Sequence, residues 1–311
     1  MSSTYISIHV SSTNNVKEGK LFCQGSRESS SSRYKALKRL SKNKLAIAGL
    51  LIVVFLVILA LFAPFIAPYN PLKQDYNALF SAPSSEHWLG TDMYGRDMLS
   101  RIIHGTKYAL LIGVAVVTIQ VVIGVPLGLI AGYYGGITES VIMRITDMML
   151  AIPAMVLALA IAGFLGGGLR NVIIAVGAVG WRDYARLVRG EVLSVKKEPY
   201  VEAARASGGS NLHIILHHIL PNVSASLIVY ITLSIPSAML WAAALSFLGL
   251  GAQPPTPEWG SMLADGRSFL RRAWWIGTFP GLAIMFTVLG FNFLGDGLND
   301  VLNPKTQRAS R

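Results

Sequence analysis

The stretch LAIAGLLIVVFLVILALFAPFIA, Leu45 to Ala67, contains no charged residue across its 23 positions and begins directly after Lys44. At about 1.5 Å rise per residue a helix of that length reaches roughly 34 Å, enough to cross a hydrocarbon layer about 30 Å thick. A cleaved signal peptide needs a shorter apolar run with a small-residue cleavage site behind it, so the stretch reads as a transmembrane helix.

The rest of the chain extends that reading. Of 311 residues 52% are hydrophobic and 14% charged, where a soluble domain carries about 25% charged residues. The apolar residues fall in runs, which predicts five further spans at residues 109–131, 145–165, 171–190, 223–250 and 275–295. Pro126, Pro153, Pro236 and Pro280 lie inside these runs, where neighbouring helices can satisfy the carbonyls that a proline frees. The expected fold is an all-α integral membrane protein of six kinked transmembrane helices. Its fourth helix is the least apolar, with Arg182, Asp183, Arg186 and Arg189 crowding the second half.

Orientation follows from the basic residues. With both termini inside, 19 of the 27 Lys and Arg fall on the cytoplasmic side and 8 on the other, so the positive-inside rule puts both ends in the cytoplasm. The net charge of +11 is explained by this partition. No basic-aromatic module accompanies it, so the expected surroundings are lipid and not nucleic acid. The chain divides into a Ser-rich tail at 1–40, expected to be disordered, a first helix with an outer loop at 41–107, a five-helix core at 108–305 and a short tail at 306–311. Cys23, the single cysteine, leaves no disulfide framework and no thiol cluster for a metal.

Between the fourth and fifth spans lies a polar segment, KKEPYVEAARASGGSNLHIILHHILPN, Lys196 to Asn222. Glu198 to Arg205 predicts a short helix in which Ala203 and Ala204 present a face without bulk. Gly208 releases it, and a second helix runs from Asn211, as N-cap, to Leu220, where Pro221 ends it. Such a pair forms a projecting cytoplasmic knob. The alternative is an interfacial elbow that sets His213, Ile214, Leu216, His217 and Ile219 against headgroups.

Glu202-Ala203-Ala204, then Gly208, then Leu220-Pro221 resembles the EAA loop of binding-protein-dependent ABC importer permeases. One position departs from the general pattern, where His218 stands in place of an isoleucine. LGTDMYGRDMLSRIIHG (89–105), YYGG (133–136), MRITDMMLAIP (143–153), LSFLGLGAQPPTPEWGSMLADGR (245–267) and FNFLGDGLND (291–300) are similar to the dipeptide and oligopeptide branch, in its C-type subunits. The resemblance spans residues 35–305. It implies the type I importer permease fold, in a prokaryotic plasma or inner membrane. This chain would form half of one pathway with a second, homologous permease. Two ATPase subunits holding ATP and Mg would dock beneath, and an extracytoplasmic solute-binding protein would deliver cargo. The EAA loop would then be the coupling element that meets the ATPase, through Glu202, Ala203, Ala204, Gly208, Leu220 and Pro221. Cargo stays open between di- or oligopeptides, nickel and a glutathione-like solute.

The chain lacks G-x-x-x-x-G-K-[ST], since Gly166-Gly167-Gly168 leads into Leu169 and Arg170, so it is read as a non-catalytic subunit without a cofactor of its own. A secondary transporter would need midplane carboxylates or inverted repeats, and a membrane enzyme a nucleophile or metal constellation; neither pattern is present. Single residues carry narrower expectations. Gln120 is a candidate for the pathway or for one inter-helix hydrogen bond. Asp147 is expected to pair with Arg144 three residues before it. His213 and His217 have i, i+4 spacing, but in a cytoplasmic loop where a selectivity site is out of place, and His87 and His104 read as surface. Trp259, Met262 and Asp265 form a candidate outer platform for the binding protein, and Trp274 and Trp275 an interfacial belt.

Overall fold

The computed structural model describes residues 43–302, so the expected disorder of the Ser-rich tail lies outside the described residues. The described part is helical, with one isolated bridge between Thr91 and Asp97. The first helix, α1 (Lys44–Leu61), is capped by the Asn43 side chain, which accepts from the amides of Leu45 and Ala46. It breaks at Phe62, and Pro64 sits in the opening turn of a four-residue helix, α2 (Ala63–Ile66), where its missing N–H costs nothing.

Next come α3 (Met98–Tyr134), α4 (Gly136–Ala151), α5 (Ala154–Leu165) and α6 (Leu169–Val195). The polar loop holds α7 (Pro199–Ala206) and α8 (Asn211–Ile214). A single π-type turn, Ile215–Ile219, then runs directly into α9 (Leu220–Phe247). The chain closes with α10 (Trp259–Arg267) and α11 (Trp275–Leu302). Among the described residues four helices are long and apolar enough to cross a membrane, and α4 with α5 makes a fifth if that bent pair is one span. The sixth expected span is α6, which has the length, at 27 residues, but carries the four charged residues noted above.

The expected span at 145–165 is corrected in shape. It is not one kinked helix: α4 and α5 meet at 89° across Ile152 and Pro153. The other interior prolines, Pro126, Pro236 and Pro280, sit inside continuous helices. The charge of α6 is answered by α4. Arg186 pairs with Asp147 and Arg189 with Glu139, while an Arg182 N–H donates to the carbonyl of Met149, in the last turn before the break. Asp147 therefore pairs across helices, and not with Arg144 as the spacing suggested; the guanidinium on the facing helix reaches it directly.

Two apolar clusters organise the packing. The larger joins α3, α5, α6, the polar loop and α9 around Val116, Val176, Val188 and Leu245. The smaller gathers Met98, Trp259, Met262, Trp275 and Ile276 at the far end. In the first cluster α3 and α6 lie nearly in backbone contact, because Gly124, Gly128 and Gly132 recur every fourth residue along one face of α3. A Cβ at Gly128 would stand 2.7 Å from both the Ala185 carbonyl and the Val188 Cβ, and one at Gly132 2.6 Å from the Val192 Cβ.

Gly128→Leu should force these two helices apart at a cost of about 1–3 kcal/mol, read as a lowered thermal unfolding midpoint in detergent. Gly163→Leu, at a helical position with open space around it, should change stability by less than about 0.5 kcal/mol.

Candidate functional site

The polar loop is built as two short helices on a fixed turn. In α7 the amide of Gly208 donates to Arg205 O at 3.0 Å and that of Gly209 to Ala204 O at 3.1 Å. This is the double bond of a Schellman C-terminus. It requires the left-handed region at Gly208, whose φ is +81°, and nothing lies within 4 Å of the space its Cβ would fill. The helix-releasing role read from the sequence thus has its geometry here.

Two details of that reading change. The N-cap of α8 is Ser210, whose side chain accepts from the His213 amide; Asn211 is the first helical residue and accepts instead from the Tyr133 hydroxyl at 2.8 Å. The second helix also does not end at Pro221. The Leu220 amide reaches back five residues to Ile215 O, and this wider turn passes Pro221, in the first turn of α9, without demanding the N–H that proline lacks.

The loop is clamped to the last turn of α3. Besides the Tyr133–Asn211 bond, Lys196 Nζ donates to Gly132 O at 2.7 Å, and the Arg205 guanidinium stands 5.5 Å from the centre of the Tyr133 ring. Val201, Ile214, Ile215 and Ile219 face inward and are buried in the main core. Outside remain Glu202, Ala203, Gly208 and Pro221, with Ala204 and Leu220 half-buried. Ala203 alone of the alanine pair is therefore open, while Ala204 packs on the core. Exposed beside them are Tyr200 at 43%, Leu212 at 65% and Leu216 at 45%. His213 and His217 stack with ring centres 4.3 Å apart, and His218 meets His213 edge-on at 5.7 Å.

Near mid-length of α3, α6 and α9 lies a second feature, a cleft of about 260 Å³ whose wall includes Gln120, Arg182, Asp183, Tyr184, Tyr230 and Trp241. Gln120 is buried and its amide donates to Val176 O at 3.4 Å, so it both bridges two helices and borders the cleft. Sequence reading did not single out Arg182 or Tyr184 for a site. The available signal was a charged residue at the centre of a helix long enough to span, which in a membrane protein marks a site more often than a structural charge.

At the far end the LGTDMYGRDMLSR segment folds into a buried ionic knot. Asp92 accepts from Arg96 Nε at 2.6 Å with Arg101 Nε 3.6 Å away, and Asp97 caps α3 through the Ser100 amide while His87 Nδ1 contacts its other oxygen at 2.9 Å. Arg101 also donates to Pro71 O and Pro255 O at 3.3 and 3.4 Å, tying three segments of this end together. His87 is thus a largely covered hydrogen-bond partner of Asp97 and not a surface residue, and His104 bonds back to Ser100 O. Trp259 and Met262 are buried, the indole donating to Ile102 O at 3.1 Å. Asp265 is half-buried, and desolvation pushes its carboxyl above the usual carboxylate range against the opposing pull of Arg101 and Arg96. Trp275 is buried too and bonds Thr91 O, leaving Trp274 as the exposed ring of the pair.

The chain belongs to the family of binding-protein-dependent transport system inner membrane components, which matches residues 124–308, so the helical bundle is that of a transport permease. Residues 32–83 match the N-terminal TM domain of oligopeptide transport permease C. The chain is 48% identical over 270 residues to the dipeptide transport system permease protein DppC of Alkalihalophilus pseudofirmus, covering 87% of this chain and 89% of that one. It is 47% identical to the di/tripeptide transport system permease protein DppC of Pseudomonas aeruginosa, with 86% and 90% covered. To the glutathione transport system permease protein GsiD of Escherichia coli it is 46% identical, with 86% and 89% covered. In fold it is similar to the inward-facing MetNI methionine ABC transporter, with a TM-score of 0.53 at 20% identity over 66% of this chain and 97% of that one.

Gly208→Val places a β-branched residue in the left-handed region and should strain the loop by about 1–3 kcal/mol. Hydrogen exchange should quicken at the amides of Gly209 and His213 and stay slow in the middle of α3 and α6. Unchanged exchange in the loop would show that the turn does not depend on the glycine.

Proposed function

We propose that this chain is one of two permease subunits of an ATP-driven importer in a prokaryotic inner or plasma membrane. It forms half of the pathway for di- or oligopeptides brought by an extracytoplasmic solute-binding protein. The chain itself does no covalent chemistry; two ATPase partners bind ATP and Mg and dock on the 196–222 loop from the cytoplasm, where both termini also lie. The names carried by the DppC relatives support the cargo, and the 19 to 8 division of basic residues supports the orientation.

The observation that carries the coupling role is the outer surface of the loop. Tyr200, Leu212 and Leu216 are exposed on a segment whose other large aliphatic residues are already committed to the core. Of the five residues an elbow would set on headgroups, Ile214 and Ile219 are buried within the protein, leaving His213, Leu216 and His217 open. An apolar face so held, with Glu202 and Ala203 beside it, suits a protein cleft. Glu202, Ala203 and Gly208 would shape the contact, and Ala204, Leu220 and Pro221 would set its angle to α9. Asp265 is the member of the outer platform with partial access, while Trp259 and Met262 would support that platform from beneath. A glutathione-like solute is a second reading, favoured by the GsiD relative; it is itself a peptide and would share the pathway.

The double variant Leu212→Asp, Leu216→Asp removes apolar burial of about 1.5–3 kcal/mol per leucine. ATPase co-purification with the permease pair should therefore fall at least roughly tenfold, with pair assembly retained. ATPase recovery equal to wild type would refute the docking site. In chains lacking Cys23, a cysteine replacing Leu270 should label only from outside and one replacing Leu212 only from inside. The reverse pattern would overturn the orientation.

A further inference from the structure

The cleft between α3, α6 and α9 has a feature that packing does not explain. Arg182 is 5% exposed and lies at the middle of α6. One of its N–H groups meets the carbonyl freed at the α4–α5 break, but its Nε has no hydrogen-bond partner, and the buried Tyr184 hydroxyl has only a loose contact with Ser234. Both residues border the cleft. Asp183 is the nearest counter-charge, at 3.9 Å from Arg182 Nε, beyond hydrogen-bond distance. A buried guanidinium with an open donor, in a cleft that a loosely held hydroxyl also borders, is arranged for an anionic oxygen.

We propose that this cleft is a subsite for the free α-carboxylate of a short peptide in transit. Arg182 Nε donates to a carboxylate oxygen, the Tyr184 hydroxyl is a further donor at the cleft wall, and Asp183 holds the charge balance when the cleft is empty. This inference rests on the peptide-import reading above. The volume, about 260 Å³, is just below the roughly 300 Å³ at which small-molecule sites begin, as suits one wall of a pathway whose other wall is a second permease. Trp241 and the Tyr184–Tyr230 pair, with ring centres 4.8 Å apart and edge-on, supply apolar surface for side chains of varied size. Selectivity for the terminal group with tolerance for the side chains follows from that division. No proton or covalent step is involved; the carboxylate exchanges water for the cleft's donors and leaves again when the cleft opens.

The test uses the assembled permease pair in nanodiscs, without the binding protein, and measures weak binding of Ala-Phe and of its C-terminal amide by saturation-transfer NMR. The wild-type pair should prefer the free acid by about tenfold or more, since a charge-assisted hydrogen bond to Arg182 is lost with the amide. Arg182→Gln should bring the two peptides to near equality. Tyr184→Phe, which removes one oxygen from a packed ring and keeps the fold, should reduce the preference by a smaller factor. Equal binding of acid and amide by wild type, an undiminished preference in both variants, or no binding of either peptide overturns the subsite. Uptake by the full complex with its ATPases and binding protein separates the two readings. Peptide uptake without acid preference in the cleft leaves the importer standing and removes the subsite. Acid preference in the cleft without peptide uptake removes the importer's assigned cargo and leaves a carboxylate site.

Discussion

Inside a bilayer no water is at hand to satisfy a carbonyl, so any break in a helix must be met by the protein itself. The break between α4 and α5 makes this demand opposite the midpoint of α6, and Arg182 answers it at Met149. Much of the arrangement follows from that contact. Bringing a guanidinium there requires α6 to lie against α4, which in turn brings Arg186 to Asp147 and Arg189 to Glu139. Three arginines that would otherwise bar α6 from a membrane are each engaged by one neighbouring helix. The glycine face of α3 lets the same helix approach from the other side, so α6 is held between a polar seam and a bare backbone track.

The long elements were legible where local chemistry suffices. Charge-free runs located α1, α3, α9 and α11, and the need for positive φ located the turn at Gly208. What the sequence hid depends on partners far along the chain. Pro153 looks the same as Pro126, Pro236 and Pro280, yet only at Pro153 does a distant arginine meet the carbonyls of a right-angled break. Asp147 has a basic neighbour three residues away and still pairs across helices. Pro221 reads as a stop, but one residue more in the preceding turn lets the helix pass. The Gly124, Gly128, Gly132 spacing, like the charge of Arg182 at the centre of a spanning-length helix, was an overlooked signal that needed no tertiary knowledge.

The two ends of the molecule are stabilised by different means. The far end is closed by buried ions and tryptophans: Arg101 bridges three segments, and the Trp259 and Trp275 indoles bond to backbone carbonyls beneath the surface. Residues that looked suited to a partner's surface, such as Trp259 and Met262, hold that end together. At the loop the distribution is reversed. Its core-facing residues are few and buried, its outward residues apolar and open, and its position is set by polar ties to α3. One end is finished as a folded unit; the other presents a face that only a second surface can cover.

The helix joining those ends, α3, is 37 residues long, a shaft of about 55 Å. It is pinned at the top by the Asp97 cap and the Arg101 bridges and at the bottom by Tyr133 and Gly132. A continuous helix so pinned behaves as a tie-rod, and the two faces of the bundle cannot change their tilt independently. Whatever give the rod has is concentrated at Pro126, where the i to i−4 ladder lacks a donor. That point lies close to the loop, so a bend there has a short arm toward the loop and a long one toward the ionic knot, and a small angular change below is delivered as a larger lateral displacement above.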